Sequence, residues 1–398
     1  DAALPVITGV TVAGNQLRLQ FSESVVTSGL SPSLFSATVG GAVRAVNAVS
    51  AVPGDATRLT LTLAGVAPTS SQAVMLRYSD PSGNNLSGVV QDLAGNDLAS
   101  TTGAGLGADS FSSSANVTNL AASYANLVLT GTAVTATGNG AANRITVEQA
   151  TAVANVINGG AGVDVMDGGN GSDIYLVADS SHHSEAEIVD SGATGSDELR
   201  FSSTIAGQTL VVHGGNIGLE RVTIGTGTAI AASTSATTAL NVRADSAANG
   251  LAITGNNGAN WLIGSNYADT IIGNGGNDTI EGGDGADTLT GGLGADVFRF
   301  ASGIGGSGID RITDFTVSQN DVIQLENSVF TALPTPGVLA AAAFTSGAAA
   351  TTAAHRIGYN PGSGALWYDA DGNGAGMSIT FAQLNTGLGM TAARFVVT

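Results

Sequence analysis

Residues 255–299 decide the fold of this chain. They read GNNGANWLI, GSNYADTII, GNGGNDTIE, GGDGADTLT and GGLGADVFR, five consecutive lines of nine residues. Position six is Asp or Asn in every line, position eight is always apolar, and glycine recurs at positions one, two and four. Residues 159–176 repeat the scheme in two lines, and two looser lines before them place Asn143 and Asn155 at position six.

This periodicity predicts a parallel β-roll. Glycine at these positions allows backbone angles that are closed to other residues and lets carbonyl oxygens converge. The residue at position eight is the inward side chain of a short strand, and two lines complete one coil. Lines n and n+2 then stack at a strand spacing of about 4.8 Å. One file of side chains therefore contains Asn260, Asp278 and Asp296, and the other contains Asp269 and Asp287.

The two files predict calcium binding. Carboxylates about 5 Å apart repel one another unless a cation lies between them. Carboxylate and carbonyl oxygens are the hard ligands that Ca²⁺ prefers, at roughly 2.3–2.6 Å. The alternative is a metal-free solenoid with asparagine-type ladders, but it leaves the repulsion between carboxylates uncompensated. We therefore expect several Ca²⁺ ions.

The lines resemble the RTX (repeats-in-toxin) family, whose nonapeptide is Gly-Gly-x-Gly-x-Asp-x-apolar-x. The resemblance implies that each ion takes carbonyl oxygens from positions one and three of one turn and from positions two and four of the turn stacked on it. Both position-six side chains join them. One ion is expected between the turns of Gly273 and Gly291, and another between those of Gly264 and Gly282. The implied ligands in the repeats are Asn143, Asn155, Gly159, Ala161, Asp164, Gly169, Gly171, Asp173, Asn260, Gly264, Asp269, Gly273, Gly275, Asp278, Gly282, Gly283, Asp284, Gly285, Asp287, Gly291, Gly292, Gly294 and Asp296.

Some lines depart from the family pattern. Asn260 stands where the family has Asp, and Ser265 and Tyr267 replace glycine in the next line. Sites that use these turns are expected to be weak or empty. The same holds for Asn155, which is expected to face Asp173.

The end of the chain adds to the resemblance. Gly308–Phe315 and Asn320–Leu325 look like the segment that closes RTX rolls, and Asp310 and Asp321 in it join the implied ligands. Tyr359–Gly374 is similar to the C-terminal hairpin of these proteins. Arg394–Thr398 is similar to the uncleaved export signals of type I secretion substrates, which implies the type I secretion machinery as a partner.

The N-terminal part reads as a separate all-β unit. Gln16–Phe21 and Arg58–Leu63 alternate polar and apolar residues, which indicates strands with one buried face. The segment resembles the immunoglobulin-like repeats of large bacterial surface proteins, notably in Phe21-Ser22-Glu23 and Tyr78–Pro81. The predicted fold is all-β, with a sandwich over residues 1–112, a β-solenoid over 113–254 with a first repeat block at 138–176, the main calcium roll and its closing segment over 255–325, and a hairpin with a secretion signal over 326–398.

Composition excludes several partners. The chain has 31 Asp and Glu against 12 Arg and no Lys, giving a net charge of −19. Nucleic acid and anionic lipid both need basic patches, so neither is an expected partner. No stretch is apolar enough for a membrane span. There is no cysteine, so calcium takes the stabilising place that disulfides hold in many secreted domains.

Three functional classes compete on the sequence: a structural or adhesive surface protein, an exported enzyme, and a pore-forming toxin. There is no His-Glu-x-x-His or Gly-x-Ser-x-Gly motif, and His182 and His183 lie in a polar run that favours a surface loop. We expect a non-enzymatic protein at the bacterial cell surface, such as a surface layer, matrix filament or adhesin, that binds copies of itself or a surface glycan. The alternative is the export module of an enzyme whose catalytic domain lies upstream of Asp1.

Two further loops are weaker candidates for calcium. The Asp80–Asp97 loop carries Asp92, Asn96 and Asp97, and an ordinary Asx-rich turn explains it equally well. Asp369–Gly374 fits the first half of an EF-hand loop, but Thr380 stands where the bidentate Glu belongs. We interpret that segment as a tight turn.

Overall fold

The structure is a computed structural model that describes residues 3–80, 89–101, 106–305 and 308–398. Its regular elements are short β-strands and single-turn 3₁₀ helices, and the described residues contain no α-helix. No helix in these ranges has the length and hydropathy needed to cross a bilayer. The all-β prediction is therefore confirmed.

The chain forms two compact units, Asp1–Gly171 with Ser191–Thr194, and Ser172–Asp190 with Gly195–Thr398. The strands of the first unit are β1 (Ile7–Ala13), β2 (Gln16–Phe21), β3 (Phe35–Val39), β4 (Ala42–Val52), β5 (Asp55–Leu63), β6 (Val74–Tyr78), β7 (Leu106–Gly107), β8 (Ser110–Ser113), β9 (Asn126–Thr130), β10 (Thr135–Thr137), β11 (Arg144–Glu148), β12 (Val156–Asn158) and β13 (Val165–Asp167). A 3₁₀ helix, η1, covers Pro32–Leu34.

The strands of the second unit are β14 (Ile174–Val177), β15 (Glu198–Phe201), β16 (Thr209–Val211), β17 (Arg221–Ile224), β18 (Asn241–Arg243), β19 (Ala252–Thr254), β20 (Trp261–Ile263), β21 (Thr270–Gly275), β22 (Thr279–Glu281), β23 (Thr288–Leu293), β24 (Val297–Phe300), β25 (Asp310–Ile312), β26 (Val322–Leu325), β27 (Gly337–Val338), β28 (Phe344–Ser346), β29 (Ile357–Tyr359), β30 (Ala365–Tyr368), β31 (Ile379–Gln383) and β32 (Phe395–Val397). The 3₁₀ helices are η2 (Ser180–His182), η3 (Val317–Gln319), η4 (Ala341–Ala343) and η5 (Ala392–Arg394).

The first unit joins antiparallel and parallel strands in one sheet. Strands β1, β2, β5, β4, β3, β6 and β7 pair antiparallel in that order. On its other edge β1 pairs parallel with β8, which continues into β9, β11 and β13. Leu17, Leu19 and Phe21 are buried on alternate positions of β2, as the period of two predicts. The β8 strand crosses the expected domain boundary at residue 112, and the immunoglobulin-like sandwich remains a prediction.

The second unit is a roll of two parallel sheets. The chain alternates between them, so β19, β21, β23 and β25 stack in one sheet and β18, β20, β22, β24 and β26 in the other. The registers pair Leu262 with Ile280, and Ile271 with Leu289, each 18 residues further on. The predicted stacking of lines n and n+2 is therefore confirmed. The five position-eight side chains are at most 1% exposed, and they form the core between the sheets: Leu262, Ile271, Ile280, Leu289 and Phe298.

Glycine is required where the stacked turns approach each other. Gly292 has φ +101° and Gly294 has φ +142°. A Cβ atom at Gly292 would collide with the carbonyl oxygen of Asn274, and one at Gly294 with that of Gly276. Both the backbone angle and the lack of space therefore exclude a side chain at these two positions.

The end of the chain closes the roll. Strand β30 pairs antiparallel with β29 and β31, so the expected hairpin is present. Strand β31 adds to β25, and β32 adds to β26. Phe395, in the segment that resembles an export signal, is completely buried. That segment is therefore part of the folded sheet.

Candidate calcium sites

The position-six carboxylates form two hydrogen-bonded ladders. In the first, Oδ1 of Asp278 accepts the backbone N–H of Asn260 at 2.8 Å, and Oδ1 of Asp296 accepts that of Asp278 at 2.9 Å. In the second, Oδ1 of Asp287 accepts the N–H of Asp269 at 2.8 Å. Each carboxylate therefore binds the turn stacked beneath it through one oxygen.

Asp310 and Asp321 continue these ladders into the closing segment. Oδ1 of Asp310 accepts the N–H of Asp287, and Oδ1 of Asp321 accepts that of Asp296, both at 3.1 Å. They have the same role as a position-six residue, although they follow their predecessors by 23 and 25 residues instead of 18. The closing segment therefore supplies the last rung of each ladder.

The second carboxylate oxygens mark where a cation fits. Oδ2 of Asp278 and Oδ2 of Asp287 are buried and accept no hydrogen bond from the described residues. A Cβ atom at Gly273 would collide with Oδ2 of Asp278 and lie 2.6 Å from the carbonyl oxygen of Gly291. A carboxylate and a carbonyl oxygen thus face the same small space, which only glycine leaves open.

This donor set fits Ca²⁺. A buried carboxylate oxygen with no partner is costly unless a charge compensates it. The oxygens that converge between stacked turns are hard donors, and carboxylates together with backbone carbonyls are typical of calcium sites. Between the turns of Gly273 and Gly291, the carboxylate of Asp278 and the carbonyl oxygen of Gly291 would hold the ion.

Burial changes the acidity of the two ladders. Desolvation, with the nearby Asp296 carboxylate, raises the pKa of Asp278 to about 7. Desolvation and the charges of Asp310 and Asp269 likewise raise the pKa of Asp287 to about 7. The pKa values of Asp296 and Asp310 rise to about 6, mainly through burial. Without a metal, protonation of these carboxyl groups therefore stabilises the folded roll.

The turns that depart from the repeat satisfy their polar atoms within the protein. Asn260 donates from Nδ2 to Leu240 O at 2.7 Å, and its Oδ1 accepts the N–H of Asn256 at 2.9 Å. Oδ2 of Asp269 accepts the N–H and the hydroxyl of Ser265, at 2.6 and 3.0 Å. These contacts support the expectation of weak or empty sites there, which stays a prediction.

The remaining implied carbonyl donors lie in the turns. Cβ atoms at Gly283 and Gly285 would meet the carbonyl oxygens of Ser265 and Tyr267, so positions two and four lie against the same positions of the stacked turn. Gly264 and Asp284 lie at positions one and three of their lines, outside the strands, and Gly275, also at position three, is the last residue of strand β21.

A comparable ladder contact lies in the first repeat block. Oδ1 of Asp164 accepts the N–H of Asn143 at 2.8 Å, and a Cβ at Gly159 would collide with the Asp164 carboxylate. Asn143 and Asn155 use their amide groups to donate to backbone carbonyls. Ala161, Gly169 and Gly171 lie in the turns of this block, and Asp173 belongs to the second unit.

Sequence reasoning missed a group of buried carboxylates around Asp173. Asp173, Asp190 and Asp197 each offer an oxygen, and these oxygens lie within 4.8 Å of one another. Oδ1 of Asp197 accepts the N–H of Asp173 at 2.7 Å, which makes Asp197 a further ladder rung. Burial, with Asp190 and Glu220, raises the pKa of Asp197 to about 7. The sequence offered one sign of this role: Asp197 directly precedes strand β15, as the position-six residues precede their strands.

The two weaker loop candidates differ in what the structure describes. Residues 81–88 of the Asp80–Asp97 loop lie outside the described residues. Oδ1 of Asp92 accepts the N–H groups of Ala94 and Asn96, both at 2.8 Å, as in an Asx turn. Oδ2 of Asp371 accepts the N–H of Gly376 at 3.0 Å, which fits the tight turn.

The polar run around His182 and His183 lies at the surface as expected, with Ser181, Glu185 and Ala186 exposed. One histidine side chain in it nevertheless points inward, since that of His183 is only 1% exposed. It is buried because its Nδ1 atom pairs with the carboxylate of Glu187.

We predict that Asp278→Asn raises the calcium concentration at half-folding by on the order of tenfold, because charge count sets the affinity of oxygen-ligand sites. The measurement is circular dichroism during a calcium titration of metal-free protein. Asp245→Asn is the control, since it removes one charge from a partly exposed carboxylate of the same unit that lies outside the ladders. Equal midpoints for the two variants would contradict the site.

We predict that pH changes the stability of the metal-free chain much more than that of the calcium-saturated chain. The folded-state pKa values of Asp278 and Asp287 lie above the ordinary value, so the folded metal-free chain binds more protons than the unfolded chain. Its stability is therefore present at about pH 4 and lost as the pH rises through about 7. Bound calcium takes the place of these protons, so the stability of the calcium-saturated chain should change little between about pH 5 and pH 8. Thermal unfolding at each pH, with and without calcium, tests both expectations, and a metal-free chain more stable at about pH 8 than at about pH 5 would refute the prediction.

Comparison with known proteins agrees with this geometry. The RTX calcium-binding nonapeptide repeat model matches four times, at residues 149–175, 254–289, 263–298 and 273–305. None of the curated proteins compared with the chain matches it.

Solved structures similar to part of this chain include three of the S-layer protein SbsC. The N-terminal part of the bacterial S-layer protein SbsC is 17% identical with a TM-score of 0.21, and the match covers 25% of this chain and 22% of that one. Surface layer protein SbsC, domains 1–6, and the S-layer protein rSbsC(31–844) are each 18% identical with TM-scores of 0.21, covering 25% of this chain and 13% of theirs. The repeats are the part that the family model identifies: the chain carries RTX calcium-binding nonapeptide repeats in both blocks.

Proposed function

We propose that this chain is an exported, non-enzymatic protein of the bacterial cell surface that folds and then self-associates when extracellular calcium fills its roll. The observation that carries the proposal is the pair of buried carboxylate ladders, in which Oδ2 of Asp278 and Oδ2 of Asp287 accept no hydrogen bond from the described residues. Such a roll is disfavoured where calcium is scarce.

The calcium concentration then decides where the chain folds. Inside a cell, where free calcium is low, the ladders stay charged and the chain stays expanded. Outside, calcium at around millimolar levels fills sites of modest affinity, and its binding energy becomes folding energy. The segment that resembles an export signal supports this order of events. This segment is strand β32 in the folded roll, and its Phe395 is buried. Because the folded roll hides the segment, a secretion machinery must bind it before the chain folds.

The edges and exposed side chains of the molecule support self-association. Among the described strands, β28 and β16 each have a strand neighbour on one side only. An open edge offers unpaired N–H and C=O groups to a strand of another copy. Exposed apolar side chains occur in both units, with Val66 at 82% and Met377 at 90% exposure. The immunoglobulin-like reading of residues 1–112 belongs to the same proposal, as a spacer or contact unit.

We predict that calcium added to metal-free protein to about the millimolar range produces sheets or filaments that a chelator dissolves. Light scattering follows the growth, and electron microscopy identifies the product. A compact monomer would refute self-association and favour the alternative, an export and folding module for a catalytic domain upstream of Asp1. No response to calcium would refute the whole proposal.

A second candidate function, glycan binding, rests on a cleft on the sheet that contains β18, β20, β22 and β24. The cleft has a volume of about 560 Å³, and Trp261 in it is 47% exposed. Beside it, Arg243 pairs with Asp245 at 2.6 Å, and Arg299 pairs with Glu326 at 2.9 Å. An aromatic face flanked by fixed polar groups suits a sugar ring, which has one apolar face and a rim of hydroxyls.

We predict that Trp261→Ala abolishes retention of the calcium-loaded protein on bacterial surface polysaccharide. Tyr267→Ala is the control, because Tyr267 is also half-exposed but does not line the cleft. Equal retention of both variants and the unmodified chain would exclude this cleft as the glycan site.

A further inference from the structure

The side chain of His183, in the second unit, is buried and pairs with a carboxylate through one of its two ring nitrogens. The His183 side chain is 1% exposed and the Glu187 side chain 4% exposed. Nδ1 of His183 pairs with Oε2 of Glu187, which also accepts the N–H of Ser184 at 3.2 Å. A carboxylate can only accept, so Nδ1 carries a hydrogen and the lone pair of a neutral imidazole is on Nε2.

That second nitrogen has no hydrogen-bond partner among the described residues, although it is buried. A buried polar atom left unsatisfied costs about 1–3 kcal/mol. A ring that binds a carboxylate through one nitrogen and directs a bare nitrogen elsewhere has the arrangement of a metal-binding histidine, in which the carboxylate fixes the ring orientation and raises the basicity of the ligand.

A second imidazole lies close to the distance that one shared ion requires. The ring centroids of His183 and His213 are 6.0 Å apart, with 35° between their planes. Two imidazoles that share one tetrahedral zinc ion, with Zn–N bonds of about 2.0–2.1 Å, hold their centroids about 5 Å apart, so a movement of the His213 ring by about 1 Å brings both to one ion. His213 is partly exposed, so water can complete the coordination on that side.

The two segments that carry these rings are fixed to each other. The N–H of His213 donates to Oδ1 of Asn216 at 2.9 Å. Nδ2 of Asn216 donates to the carbonyl oxygens of Ser184 and Glu185, at 3.0 and 3.2 Å. Asn216 is buried, so it binds both segments in one place and preorganises the rings.

We propose that His183 and His213 form a site for a transition-metal ion of the zinc class, with Glu187 as the positioning residue. Imidazole nitrogen suits such ions, whereas the oxygen donors of the roll suit calcium. The site is separate from the calcium ladders and does not depend on the proposed surface function.

The test is a titration of the full chain, saturated with calcium, with Zn²⁺ by calorimetry and with Co²⁺ by visible absorption. We expect one ion per chain in the site and Co²⁺ bands characteristic of nitrogen ligands in tetrahedral coordination. His213→Ala should weaken binding at least about tenfold and abolish these bands. Glu187→Gln should weaken it about 10- to 100-fold and shift the bands, because the carboxylate orients the ring.

His355→Ala is the matched control, since His355 lies elsewhere in the unit, with Nδ1 accepting the N–H of Thr351. It should leave both titrations unchanged. If His183→Ala fails to fold, His213→Ala still decides, because its side chain is partly exposed. Absence of saturable binding in the folded chain, or unchanged binding in His213→Ala, would overturn the proposal. Failure of calcium-driven assembly would leave it standing.

Discussion

The roll depends on one interaction, the hydrogen bond from a backbone N–H to the position-six carboxylate of the turn stacked on it. Asp278, Asp287 and Asp296 each make this bond through Oδ1. The strands that follow are short, and the bond fixes the turn before each of them in register. It also buries a charged group, and the second oxygen of Asp278 and Asp287 is left without a partner among the residues that the structure describes. The contact that builds the roll thus creates the need for a cation.

The need for a cation and the glycine pattern have the same origin. Carbonyl oxygens and Oδ2 atoms can converge only if the turns approach closely, as they do where Gly292 meets Asn274 O. A Cβ atom there would separate the turns and widen the gap that the ion must bridge. Protons and calcium then compete for the same oxygens, since burial raises the pKa of Asp278 to about 7. Folding, acidity and metal binding are therefore one equilibrium in this unit.

Contacts that recur with the nine-residue period could be predicted from the sequence, and contacts outside that period could not. The 18-residue register of Leu262 with Ile280 follows from the strict nine-residue period. Asp310 was expected only from a family resemblance, because its spacing of 23 residues breaks the period. Asp190 and the pairing of His183 with Glu187 were missed, since no period leads to them and their burial depends on how distant segments pack. A polar run such as residues 179–187 carries no sequence sign that one of its histidines faces inward.

The two ends of the ladders use their polar side chains differently from the interior turns. At the first turn, Asn260 satisfies both ends of its amide, donating to Leu240 O and accepting from Asn256 N. At the last turn, the Asp314 carboxylate accepts the N–H groups of Gly291 and Gly292, at 3.0 and 2.8 Å. A neutral amide at one end and a carboxylate that accepts two N–H groups at the other have less need of a cation. At the interior turn of Gly273, Oδ2 of Asp278 lies near the carbonyl oxygen of Gly291 and accepts no hydrogen bond from the described residues, so a cation is needed most there.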